Sequence, residues 1–251
     1  MTSKYKVVPP PVQQSWKASG DNPPGFDENI LPSAQRGFMI ALSGGRNTGK
    51  SVVCYNLIKQ YAGAFDNIFV MSPTWKQDST ISPDATGLEE ENYFETLDTQ
   101  FITDLMEKQR EEKKKFDKGN LRQKFLSRYL LVLDDCISEE MFSKNNNSSV
   151  LNALAFKGRH FRISTIITTQ SYKSLPRKFR INVPNWVLMR TYNSGERKCI
   201  CEELCNTMSE KDFDAMYNHA IEEDYSFFYV FMDAPNKKEC FRKNFETILS
   251  N

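Results

Sequence analysis

Residues Gly37 to Ser51 constrain this chain more than any other stretch. A short apolar run, Gly37-Phe38-Met39-Ile40-Ala41-Leu42-Ser43, breaks into Gly44-Gly45-Arg46-Asn47-Thr48-Gly49-Lys50-Ser51. Those eight residues spell G-x-x-x-x-G-K-S, the phosphate-binding P-loop (Walker A) pattern. The spacing has a chemical reason. Glycines let backbone N–H groups curl around a phosphate, the lysine reaches the β and γ oxygens, and the serine hydroxyl meets Mg²⁺. The expected nucleotide-binding residues are therefore Gly44, Gly45, Arg46, Asn47, Thr48, Gly49, Lys50, Ser51 and Val52, with Lys50 exposed on its loop. A helix must follow at once. Ser51 to Tyr61 supplies it, with Val52, Val53, Leu57 and Ile58 as an apolar face and the N-terminal dipole turned toward the anion. A tight Gly-rich connection that binds nothing is the alternative, and the strand and helix flanks speak against it.

A second motif lies downstream. Tyr129 to Leu133 is five apolar residues in a row, as in a strand buried on both faces, and it closes on Asp134-Asp135. Acids at the carboxyl end of such a strand lie where open α/β sheets bind ligands, and this is the Walker B pattern. Asp134 is expected on Mg²⁺ and Asp135 beside the attacking water, since adjacent strand residues point to opposite faces and divide the work. Other apolar runs read as strands: Asn67 to Ser72, Arg162 to Gln170, Trp186 to Thr191 and Tyr225 to Met232. Helical spacing marks Phe101 to Lys118, Val150 to Phe156, Glu196 to Asn206 and Glu210 to Ala220. Ser79 to Gly87 and Asn145 to Ser149 read as polar loops. Strand alternating with helix predicts an α/β three-layer sandwich around a mostly parallel central sheet.

Composition sets outer limits. With 251 residues, 39% hydrophobic and 26% charged, the chain can bury a large core. No apolar run approaches the ~18 residues of a membrane span. The start, MTSKYKVVPPP, has no secretory h-region, so a reducing compartment and six free thiols are expected. Cys199, Cys201 and Cys205 do not match a standard zinc spacing and read as buried helix cysteines. Residues 1–35, with Pro9-Pro10-Pro11, Pro23-Pro24 and Pro32, read as an extended arm that Trp16 and Phe26 can pin to the body or to a neighbouring subunit, and 36–251 as the P-loop ATPase domain. The net charge of +1 is unevenly spread. Nine Lys/Arg stand against three acids from Lys108 to Arg128, and seven against none from Lys157 to Arg180, whereas Ala64 to Gln100 holds eight acids and Lys76. Basic segments of this kind can track phosphates.

GRNTGKS, YLLVLDD and above all GRHFRISTIITTQSYKSLP resemble the viral genome-packaging ATPases of poxviruses, other large cytoplasmic DNA viruses and virophages, within the FtsK/HerA division of P-loop motors. The resemblance spans roughly Gly37 to Arg190. It implies an extra strand between those carrying Walker A and Walker B, and Gln170, ending the strand after Walker B, as a γ-phosphate or water contact. It also implies Arg159 as a finger acting on the neighbouring subunit's nucleotide, with Arg162 as the alternative. Many relatives carry Glu where this chain has Asp135. The implied function is an ATP- and Mg²⁺-dependent motor that threads double-stranded DNA into a preformed capsid. Its implied partners are a homo-oligomeric ring of five or six subunits and capsid vertex proteins, with the host cytoplasm (the viral factory) and the virion as locations. A GTP-dependent switch is the principal alternative, with Asn236-Lys237-Lys238-Glu239 a near miss to N-K-x-D. A small-molecule kinase would have no use for Gln170 and Arg159, nor a nucleotide-binding scaffold for Asp135.

Overall fold

The computed structural model of the protein describes residues 26–119, 127–137, 145–205 and 208–249, and no side chain of 145–149. In chain order the strands are β1 (Met39–Ser43), β2 (Asn67–Met71), β3 (Tyr93–Phe94), β4 (Tyr129–Asp134), β5 (Ile163–Thr169), β6 (Asn185–Leu188), β7 (Phe228–Phe231), β8 (Phe241–Lys243) and β9 (Thr247–Ile248). The helices are α1 (Lys50–Gln60), α2 (Pro83–Thr86), α3 (Thr99–Asp117), α4 (Asn145–Lys157), α5 (Arg177–Arg180), α6 (Ser194–Leu204) and α7 (Glu210–Ala220). Among the described residues, these nine strands join one sheet in the order β3-β2-β4-β5-β1-β6-β7-β8-β9.

The strands from β3 to β6 pair in parallel, and β7, β8 and β9 close the sheet antiparallel. Every residue of β1, β4 and β5 is buried, as a parallel sheet covered on both faces requires. The expected sandwich with a mostly parallel sheet is borne out. So is the extra strand: β5 pairs with β1 on one side and β4 on the other. Because these strands are parallel, the carboxyl ends of β1, β4 and β5 share one edge of the sheet, and their starts share the other.

Some expectations need correction. The run Asn145 to Ser149 is not a loop but the opening of α4. Asn and Ser cost only a few tenths of a kcal/mol each in a helix, and Leu151 and Leu154, both buried, anchor the rest. The loop Ser79 to Gly87 contains α2, capped by Ser82, whose Oγ accepts from Ala85 N, and stopped by Gly87 at φ +75°. Strands β3, β8 and β9 were not anticipated, being two or three residues long. Of the expected arm, residues 1–25, and Trp16 with them, lie outside the described residues. Phe26 packs on Tyr61 at 5.2 Å between ring centroids, and the Tyr61 hydroxyl donates to Pro32 O at 2.7 Å.

Candidate nucleotide site

The loop after β1 is held by both neighbouring strands. Gly44 N donates to Thr169 O at 3.1 Å, and Met189 N to Ser43 O at 2.8 Å. A side chain at Gly44 would put its Cβ 2.4 Å from Met189 Cβ, so only glycine fits. Gly49, at φ +96°, turns the chain into α1, and Asn47 sits in the left-handed region at φ +59°. Lys50 corrects one expectation: it is buried, not exposed. Its Nζ donates to Gly44 O at 2.7 Å and Gly45 O at 2.9 Å, inside the ring of backbone that the motif makes. Burial lowers the Lys50 pKa from its ordinary value, while Asp135 and Asp134 push it back up. An anion in the loop would relieve that cost. Ser51 is half-buried and Val52 exposed at the start of α1.

At the same sheet edge β4 ends in Asp134, which is 5% exposed. Ser72 Oγ donates to its Oδ2 at 2.8 Å and Thr168 Oγ1 to its Oδ1 at 2.7 Å. Burial raises the Asp134 pKa against the pull of those two hydroxyls. A carboxylate lifted in this way fits a cation: Asp134 and the Ser51 hydroxyl are hard oxygen donors of the kind Mg²⁺ takes, with the remaining positions left to water and phosphate. Among the described residues no cluster of three or more His, Cys, Asp and Glu could hold a metal by itself. Cys199 Sγ donates to Glu203 Oε1 and Cys201 Sγ to Glu210 O, each thiol turned to its own neighbour.

Asp135 departs from strand alternation. The strand stops at Asp134, and Asp135 turns to φ +44° with its N–H donating to Thr168 Oγ1 at 3.0 Å. Both carboxylates thus lie within 3.4 Å of one hydroxyl instead of on opposite faces. Gln170, exposed at the end of β5, donates from Nε2 to Asp135 Oδ2 at 3.2 Å. The structure therefore brings Lys50, Asp134, Asp135 and Gln170 together. Sequence reasoning missed Ser72, Thr168 and Glu196. Glu196 is buried on α6, accepts from Ser171 Oγ, and accepts from Thr191 Oγ1 at 2.9 Å, tying the loop after Gln170 to the exit of β6. Polar residues at strand ends were the available signal for Ser72 and Thr168.

Arg159 and Arg162 lie elsewhere. Arg159 is exposed in the turn before β5, its Cα 2.9 Å from where a Cβ on Gly37 would stand, at the starting ends of β1 and β5. The seven residues of β5 separate it from the P-loop by roughly 20 Å at about 3.3 Å per residue. A cavity of about 510 Å³ opens at that far edge, with Arg36, Phe156, Arg159 and Asp233 in its wall. Arg162, at φ +56°, shares the far edge. The N-K-K-E stretch is there too. Leu188 pairs with Phe228 near the P-loop, so the chain leaving Phe231 runs away from it, and Asn236 caps its own turn by accepting from Lys238 N. It cannot read a base in the P-loop of its own chain.

The sequence pattern of the poxvirus A32 protein family matches residues 25–219. The chain belongs to this family. Membership in the poxvirus A32 family bears out the resemblance carried by GRNTGKS, YLLVLDD and GRHFRISTIITTQSYKSLP. Comparison with curated protein sequences gives no match. Solved structures share the fold at low identity. The genome packaging NTPase B204 from Sulfolobus turreted icosahedral virus 2, in complex with AMP, aligns at a TM-score of 0.54 and 11% identity, over 86% of this chain and 98% of that one. The pCW3 conjugation coupling protein TcpA with ATPγS aligns at 0.57 and 15%, over 85% of this chain and 67% of that one.

Proposed function

We propose that this poxvirus A32 family chain is an ATP-hydrolysing motor that moves double-stranded DNA into a preformed capsid as a homo-oligomeric ring of five or six subunits. The observation that carries the reading is the contact between Gln170 and Asp135, the residues just past the ends of β5 and β4, on the flank of the P-loop where the γ-phosphate belongs. A strand inserted between Walker A and Walker B places a polar sensor beside a carboxylate, an arrangement suited to orienting water. In this reading Lys50 exchanges its bonds with Gly44 and Gly45 for the β and γ oxygens. Ser51 and Asp134 would hold Mg²⁺, which supplies charge neutralisation between those phosphates. Asp135 takes the proton of the water that attacks the γ phosphorus, as the bond to the β-γ bridging oxygen breaks. Gln170 fixes that water.

Arg159 is too far from its own P-loop to serve it, which fits a finger offered to a neighbouring subunit. Lys173, Arg177 and Lys178 are exposed and suit contacts to DNA phosphates. Arg180 does not: it is buried against Glu203. The other basic stretch, on α3, is laced with Arg110–Glu107, Lys114–Glu111 and Lys113–Asp117 pairs, as a solvated helix face is. Among the described residues no helix is long and apolar enough to cross a membrane. Capsid vertex proteins as docking partners, the viral factory in the host cytoplasm, and the virion follow from the same reading. Steady-state hydrolysis with and without duplex DNA tests it, beside sedimentation with a non-hydrolysable ATP analogue. Stimulation by DNA and assembly with nucleotide are expected. GTP preference with no DNA effect would replace the motor by a switch, and full hydrolysis by Lys50→Ala would remove the nucleotide assignment altogether.

A further inference from the structure

Residues 221–227, between α7 and β7, form a turn that lies against the P-loop. The sheet register puts it there: Phe228, the first residue of β7, pairs with Leu188, and Leu188 with Ser43 just before the loop. Tyr225 in this turn has φ +63°, a conformation that glycine adopts freely and an aromatic residue rarely. Its side chain is 57% exposed, yet it lies over the entry to α1, where a methyl group on Gly49 would meet Tyr225 Cδ1 at 3.5 Å. The turn is anchored on both sides. Arg190 donates from Nε and an Nη to Ile221 O at 3.0 and 2.6 Å and to Glu222 O at 3.0 Å. Lys243 Nζ reaches Glu222 and Glu223, and Ser226 Oγ donates to Glu223 O at 2.7 Å.

The ring is exposed where the next three residues, Ser226, Phe227 and Phe228, are buried. Strained backbone conformations that persist in an anchored turn cluster at ligand sites. The direction of the nucleotide then becomes a question of sides. Asp134, Asp135 and Gln170 occupy the β4–β5 flank of the P-loop, so the γ-phosphate points there. The base leaves by the opposite flank, over β6 and β7, where the Tyr225 ring offers a flat surface beside Gly49.

We propose that Tyr225 is the platform on which the nucleobase stacks, a specificity residue that favours the larger flat face of a purine over a pyrimidine. The proposal rests on the nucleotide reading of the P-loop. The test is equilibrium binding of ATP, CTP and inorganic tripolyphosphate to the full chain and to Tyr225→Gly and Tyr225→Phe. Glycine suits φ +63°, so Tyr225→Gly removes the ring and keeps the turn, which an unchanged thermal midpoint confirms. Tyr225→Gly is expected to bind ATP about ten-fold more weakly, to lose most of its preference for ATP over CTP, and to bind tripolyphosphate as before. Tyr225→Phe keeps both affinity and preference. Unchanged ATP affinity in Tyr225→Gly overturns the proposal, and so does a parallel loss of ATP and tripolyphosphate, because the ring would then only prop Gly49. An unaltered chain that binds neither ATP nor tripolyphosphate overturns the P-loop reading itself, a result distinguishable from the other two.

Discussion

Asp134 is the residue where function and stability pull in opposite directions. Its raised pKa means that the folded, nucleotide-free protein holds the Asp134 proton more tightly than the unfolded chain does, so this group's effect on stability falls as pH rises through the raised value. Asp134→Asn removes the buried charge. It is expected to raise the thermal midpoint of the nucleotide-free protein at neutral pH by about 2–4 °C, the equivalent of about 1 kcal/mol, while abolishing Mg²⁺-dependent hydrolysis; calorimetry beside an ATPase assay checks both. Asp135→Asn should differ, retaining ATP affinity while turnover falls by about 10²-fold or more, because only the proton acceptor is lost. Identical behaviour of the two variants in binding and turnover would undo the division of roles. The acids themselves were legible in the run Tyr129-Leu130-Leu131-Val132-Leu133, which leaves nothing else polar at its end. Their shared hydroxyl was not, because no periodicity tells which polar residue of a strand 34 positions later will face Asp134.

Between elements, the clamp from α5 to α6 shows how a basic segment can be two things at once. Arg180 donates from Nε to Glu203 Oε2 at 2.9 Å and from an Nη to Oε1 at 2.6 Å, with its guanidinium 4.9 Å from the centre of the Tyr172 ring. Both side chains are at most 10% exposed, so Glu203→Ala leaves a buried cation and is expected to cost about 3 kcal/mol, measured by chemical denaturation. Charge reversal at Lys173 and Lys178 should leave the fold intact and remove DNA-stimulated hydrolysis before basal hydrolysis, whereas Arg177 also pairs with Glu203 at 3.6 Å. Stimulation in the unaltered protein should fall steeply with salt; a flat response would move the DNA contact elsewhere. Run composition alone could not divide Arg180 from its neighbours, because the division depends on Glu203, which a sequence window does not contain. The long parallel strands were legible for the opposite reason: burial on both faces writes itself into consecutive residues. β3, β8 and β9 take their place from the partner strand, and their own two or three residues say little. In α4, packing at Leu151 and Leu154 carries the helix back through residues whose own preference is for turns.

Across the whole molecule, the P-loop and Arg159 occupy opposite edges of the sheet. If Arg159 serves a neighbour, Lys50→Ala and Arg159→Ala are each inactive alone, and mixing them restores part of the activity. An interface then pairs the intact P-loop of one chain with the intact arginine of the other, and a finger of this kind is worth up to about 10³ to 10⁵ in rate. A mixture that stays inactive although mixed assemblies form would exclude Arg159, leaving Arg162 at the same edge to be tested. Gly37 guards that edge. A Cβ there would stand 2.9 Å from Arg159 Cα, so Gly37→Ala should displace the arginine and lower activity without touching the P-loop. If Arg159 serves a neighbour, contact between unlike edges also gives the assembly a sense of direction, since every protomer is then a donor on one side and a recipient on the other. An open string of such protomers ends in one nucleotide waiting for an arginine and one arginine with nothing to serve. Only a closed circle leaves neither, so in that reading the final protomer to join completes two sites in a single step, one neighbour's and its own.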